Sequence, residues 1–139
     1  MDLLAIRQAL ASTVEQATGI CYPYPIQSPN TPCAWVDLAG GLFLDYIQAM
    51  QQGQVEVNLR IVLLAAPAPN DDTARISSWL STGTSDSVSD ILRVDKTLGG
   101  VCTDLIARRA ENAGWNEFPP QSGSWYSTAE IVVDVYLPQ

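Results

Sequence analysis

The sequence predicts an α+β domain: a small, mainly antiparallel sheet of four to five strands with two to three helices packed on one face. Three observations carry that expectation. Gln54–Leu64 and Ser127–Leu137 place aliphatic residues at every second position, the period of a strand with one face buried. Leu3, Ile6, Leu10, Val14 and Ala17 recur at steps of three and four, which gathers them on one face of a helix. Between the two strand segments, Asp71–Arg93 has helical spacing broken by a Ser/Thr/Gly joint. The chain has 139 residues, of which 47% are hydrophobic, so 1–139 is read as one domain with a real core.

The opening helix has Asp2 to support the positive end of its dipole and Gly19 as its stop. Cys21–Pro32 holds four prolines. Proline fixes φ and removes amide donors, so this stretch is expected to be an extended connector rather than a helix or central strand. Cys33-Ala-Trp-Val-Asp-Leu38 reads as a short strand broken by Gly40-Gly41, and Leu42–Tyr46 as a further extended piece or a loop. In Gln54–Leu64, Val55, Val57, Leu59, Ile61 and Leu63 alternate with Glu56, Asn58 and Arg60, which makes this the central strand. From Ile61 onward both faces are apolar, so another element is expected to cover that end.

Ala65–Asn70 delivers the chain to a second helix with Ile76, Trp79 and Leu80 on its packing face and Gly83 at its end. Asn70 or Asp71 can cap that helix, and Asp71-Asp72 suit its dipole. Ser85 to about Arg93 reads as a third, short helix with Val88, Ile91 and Leu92 inward. Thr97-Leu-Gly-Gly100 is a turn. Val101–Glu111 fits a helix or a strand. It is assigned as a strand because the β-rich Ser127–Leu137 needs an antiparallel mate. Asn112–Trp125, with two glycines and two prolines, is then expected to be a long exposed loop.

Composition removes several functions. Fifteen acids against seven bases give a net charge of −8, with no block of Lys or Arg to hold phosphates, so bound nucleic acid is disfavoured. The absence of histidine removes Ser-His-Asp and Cys-His catalysis and the common His-based zinc sites. No apolar run reaches the ~18 residues of a membrane-spanning helix. Met1-Asp2-Leu3-Leu4 lacks the basic start and apolar stretch of a signal peptide, so use without secretion is expected. Cys21, Cys33 and Cys102 show no CxxC spacing and are expected to be buried free thiols, although a Cys21–Cys33 disulfide is conceivable.

No constellation nominates a catalytic residue, a cofactor site or a metal site. Asp86, Asp90 and Asp95 are too spread for a compact carboxylate cluster. Gly40-Gly41 and Thr97–Gly100 lack the spacing of phosphate-binding loops. Arg108-Arg109 suits a solvated strand face or local pairing with Glu111. The aromatics are more informative. Trp115, Phe118 and Trp125 lie around a Gly/Pro-rich segment, and Phe43 and Tyr46 beside Gly40-Gly41. These five are the candidate protein-interface residues, since large rings on projecting segments serve as anchors; packing back onto the domain's own core is the equal alternative.

The order of pieces then matters. An amphipathic helix, a Trp-containing short strand, a long strand, a Pro-rich turn into helices, Thr97-Leu-Gly-Gly100 with Asp104 soon after, and a β-rich end together resemble the tail-terminator and tail-completion proteins of long-tailed phages. The resemblance covers nearly the whole chain. It implies a structural virion protein, not an enzyme: a hexameric ring that caps the tail tube and joins it to the head connector. The implied partners are further copies of the chain, the tail tube protein and neck proteins, with DNA passing through unbound. The implied place is the virion, after assembly in the host cytoplasm, and no cofactor is implied. A head-completion or neck connector role is the alternative within this class. A small ligand-binding domain or enzyme is the alternative outside it.

Overall fold

The computed structural model describes residues 3–25, 32–38, 44–45, 54–65, 71–117, 121, 123 and 125–138. In chain order the elements are α1 (Leu3–Thr18), β1 (Cys21–Tyr22), β2 (Cys33–Leu38), β3 (Leu44–Asp45), β4 (Gln54–Ala65), α2 (Asp71–Leu80), α3 (Val88–Val94), β5 (Asp104–Glu117) and β6 (Trp125–Pro138). The architecture is α+β, with the helices packed against one mixed, mostly antiparallel sheet. Five strands run in the order β1-β2-β4-β6-β5, and β3 joins β4 beside β2.

β4 lies in the middle of that order, paired on both edges, and its alternation serves that position. Val57, Leu59, Ile61 and Leu63 are all fully buried toward the helices. β6 matches it with Ala129, Ile131, Val133, Val135 and Leu137, and β2 with Ala34 and Val36. Ile6, Leu10 and Val14 of α1, Ile76 and Trp79 of α2, and Val88 and Leu92 of α3 close over that face. Each fully buried Leu, Ile or Val stabilises the fold by roughly 1.5–3 kcal/mol relative to exposure. The apolar far end of β4 is explained by a second cluster on the other face, where Cys33, Trp35, Val62 and Leu64 pack with Tyr22 and Tyr126.

The helix ends follow their local chemistry. Gly19, at φ +85, donates to the Glu15 carbonyl at 2.8 Å and stops α1. Asp2 and Asn70, expected near helix starts, lie outside the described residues, as does the side chain of Asp71. α3 begins three residues later than the Ser85 start read from sequence. Ser87 is its cap, its hydroxyl accepting from the Asp90 amide, and Asp86 instead accepts from the Ser78 hydroxyl at 2.5 Å. Arg7 ties α1 to the sheet edge by donating to the carbonyls of Pro23 (2.8 Å) and Val36 (3.1 Å). The first residues of the proline-rich connector thus form β1, which pairs in parallel with β2.

The segment after the Thr97–Gly100 turn is a strand, as assigned, but it is longer than Val101–Glu111. β5 runs from Asp104 to Glu117 and pairs with β6 as far as Glu117↔Trp125. Of the long loop expected over Asn112–Trp125, Asn112–Glu117 and Trp125 are therefore strand, and Gly114 has a different role. Two irregularities, between Ala107 and Arg109 and between Glu111 and Gly114, each shift the register by one residue. Asn112, at φ +53, occupies the second of them, a conformation that Asn tolerates better than most side chains. Gly114 follows at φ +143, so the residues that suggested a loop accommodate a bulge.

Candidate functional site

The exposed hairpin end is built by that register. Trp115 stands opposite Ser127, and Glu117 opposite Trp125. Trp115 and Trp125 are therefore diagonal neighbours on one face of the ladder, a spacing of roughly 7–8 Å that long aromatic side chains can span. Trp115 is 51% exposed and Trp125 44% exposed. β4 pairs with β6 as far as Ala65↔Ser127, so among the described residues Trp125 lies beyond the last pair of the central strand. On the opposite face of the same ladder, Tyr126 packs against Cys33, Trp35, Val62 and Leu64. One side of the arm is anchored, and the other presents two indoles.

Of the five interface candidates, the structure brings Trp115 and Trp125 together. Phe43, Tyr46 and Phe118 lie outside the described residues. Glu117 organises the turn of the arm: its carboxylate accepts from the amides of Gln121 (2.6 Å) and Gly123 (2.9 Å).

Between the bulges the sheet face opposite the helices carries a charged network that charge counting did not single out. Arg60 contacts Glu130 at 3.2 Å and Glu111 at 3.3 Å, while Arg109 pairs with Glu111 and Asn112 donates to Glu130. The bond from Arg109, helped by the nearby charges of Arg109 and Arg60, holds the Glu111 carboxyl below its ordinary range. Arg108 pairs with the buried Asp134 one turn of the ladder away. The sequence reading allowed Arg109 to pair with Glu111. It missed Asp134, whose position in a β-rich run becomes informative only once the first bulge brings Arg108 toward it.

Hollows among the described residues include two beside β5. One of about 230 Å³ lies over Val62 and Leu64 and is edged by Asn112, Asn116, Thr128 and Glu130. Asn116 donates to the Thr128 hydroxyl at 2.6 Å, so these groups knit the arm to the sheet. The other, about 430 Å³, runs between α3 and the outer side of β5, lined by Ser89, Arg93, Lys96, Leu105, Ile106 and Ala107, with Thr82. Among the described residues no three His, Cys, Asp or Glu side chains converge as a metal site, and no helix is long and apolar enough to cross a membrane.

Cys21, Cys33 and Cys102 are free; Cys33 and Cys102 are buried and Cys21 half-buried. Cys21 packs on the helix-side core while Cys33 belongs to the opposite cluster, so a Cys21–Cys33 disulfide would have to cross the sheet. Burial pushes the Cys21 thiol up to about 12, assisted by Glu15, and Cys33 and Cys102 to about 11. A thiolate nucleophile is disfavoured at neutral pH.

A scan against protein-family models finds no match to this chain, and a search of curated proteins finds none either.

Proposed function

We propose that the protein is a structural assembly protein of a long-tailed phage, forming a ring that caps the tail tube and joins it to the head connector. The observation that carries this reading is the exposed Trp115–Trp125 pair on a hairpin arm anchored from behind by Tyr126. Two large rings held at one end of a rigid ladder suit a protein partner, because little side-chain freedom is lost when they are covered. The net charge of −8 supports the same reading, since an acidic wall repels DNA that must pass without sticking. The order of pieces along the sequence, which resembles the tail-terminator family over nearly the whole chain, supports the same reading. Head-to-tail contacts that close under rotation are what a ring requires.

Light scattering on the purified chain, alone and mixed with tail tubes, tests the proposal. The expected result is a ring-sized species alone or on the tubes, with a hexamer as the specific stoichiometry. A monomer under every condition overturns it, and association with connector particles but never with tubes transfers the role to the neck.

A further inference from the structure

The charges around the indole pair define the surface it fits. Trp115 and Trp125 lie in a stretch, 110–139, that contains no Lys or Arg. Three of its acids, Glu111, Glu130 and Asp134, are matched by Arg60, Arg109 and Arg108. Glu117, two residues from Trp115 and opposite Trp125, is met by backbone amides, and no cation pairs with it among the described residues. A carboxylate beside two exposed rings favours an apolar partner that carries a cation, because the cation is drawn both to the carboxylate and to the π face of an indole.

The chain holds seven cations, and six are engaged within it. Arg7 donates to backbone carbonyls, Arg60 and Arg109 pair with Glu111, Arg93 with Asp90 and Arg108 with Asp134, and Arg75 is engaged as well. Lys96 is the remaining one, and its ammonium makes no hydrogen bond or ion pair among the described residues. It is exposed, and it lines the groove of about 430 Å³ between α3 and β5. The apolar wall of that groove is Leu105, Ile106 and Ala107, with Ile106 46% exposed. Its size falls within the roughly 300–1,000 Å³ of clefts that enclose large apolar groups.

Rings and groove belong to opposite ends of β5. From Ala107 to Trp115 the strand rises roughly 20–25 Å, at about 3.3 Å per residue. A copy therefore cannot lay its own rings in its own groove, and the surface that fits the arm lies on another copy.

Resting on the ring reading, we infer that the Trp115–Trp125 end of one copy seats in the α3–β5 groove of the next, with its rings on Leu105, Ile106 and Ala107 and the Lys96 ammonium against Glu117 and an indole face. Arm and groove are different surfaces, so the contact is heterologous, and repetition about one axis closes it into a ring.

Three measurements on the full-length chain test this. Thr82, at the groove, and Ala113, near the rings, are both exposed. Thr82→Cys and Ala113→Cys chains, each checked for wild-type melting, are treated with a short bis-maleimide alone and mixed, with wild type as control for the native thiols. The mixture is expected to give linked pairs with one chain of each kind, well above either variant alone. Lys96→Glu is expected to leave melting unchanged and to weaken self-association at least tenfold, and Lys96→Arg to preserve it. Acrylamide quenching reads the rings: Trp35 and Trp79 are buried and give a constant background, while the exposed indoles are expected to be quenched in dilute monomer and shielded in the assembly. A ring by light scattering that shows no mixed linkage and keeps its indoles open to quencher overturns this contact and leaves the proposed function standing. Shielding that requires tail tubes and ignores Lys96→Glu overturns it in favour of the tube as the arm's partner. Mixed linkage in a two-copy species that never enlarges, even on tubes, keeps the contact and overturns the ring. A monomer under every condition overturns both.

Discussion

In the half of the β5–β6 hairpin nearest the helices, Leu105, Val133 and Val135 are buried in the helix-side core, with α3 against β5, and α2 and β4 against β6. In the other half, Trp115 and Trp125 occupy the same kind of ladder and are 51% and 44% exposed. The backbone pairing barely distinguishes the halves. What differs is the neighbour: the near half has β4 and a helix layer against it, whereas Trp125 lies beyond the last β4 pair, Ala65↔Ser127, and there the Tyr126 side packs into the opposite-face cluster. Strand alternation reports that a face exists. It does not report whether the domain itself covers that face.

The sharpest test of the difference is a matched pair of substitutions. Val133→Asp puts a carboxylate where no water or cation reaches it, a change expected to cost at least about 4 kcal/mol and to remove the cooperative melting transition. Trp115→Ala on the exposed half is expected to lower stability by no more than about 1 kcal/mol, yet to weaken association with copies or tubes more than tenfold. Thermal melting and light scattering on both variants decide it. Equal loss of melting would mean that the arm belongs to the core after all.

The same contrast explains what could be read in advance. The covered elements were legible because their apolar positions repeat: α1, β4, the packing face of α2 and the inward row of β6 follow directly from period. The arm was misjudged as a loop because Gly114, Pro119 and Pro120 are turn residues by composition. Gly114 instead follows a bulge that keeps β5 and β6 in step. Bulges are long-range features; their position depends on the partner strand, which a local reading of β5 does not contain. The diagonal placement of Trp115 and Trp125 was hidden for the same reason, although each was singled out separately. Asp134 was hidden by its neighbours, since a lone acid in a β-rich run reveals its arginine only through register.

A smaller effect separates covered from uncovered positions by pH. The unfolded thiols lose protons near 9, whereas burial holds Cys33 and Cys102 at about 11 and Cys21 at about 12. The folded state therefore binds these protons more tightly. Their contribution to stability is complete below pH 9 and is lost as pH rises through 11 to 12. Urea unfolding at pH 8 and pH 10 is expected to show a falling midpoint, and Cys102→Ala is expected to flatten that fall. A thiol reagent should label Cys33 and Cys102 only after unfolding; rapid native labelling of either would contradict their burial.

The smallest effect is expected at the boundary between the halves. Glu111 sits between the two bulges, held by Arg109 and Arg60, and its carboxyl titrates below the ordinary range chiefly because of the Arg109 bond. A depressed carboxyl favours the folded state above its unfolded pKa, and that contribution is lost as pH falls through the folded value. The network is partly exposed, so water and salt weaken it and global melting should hardly respond to Glu111→Gln. The arm should respond more than the rest. With Arg60 left to Glu130 alone, the bond that pins the middle of β5 to β4 across β6 is thinned, and the far half is free to open without the near half. Hydrogen exchange at neutral pH is expected to quicken at Trp115–Glu117 while Leu105–Ala107 stays protected. Uniform quickening along β5 would show that the hairpin opens as one unit, and that the boundary at the bulges is geometric only.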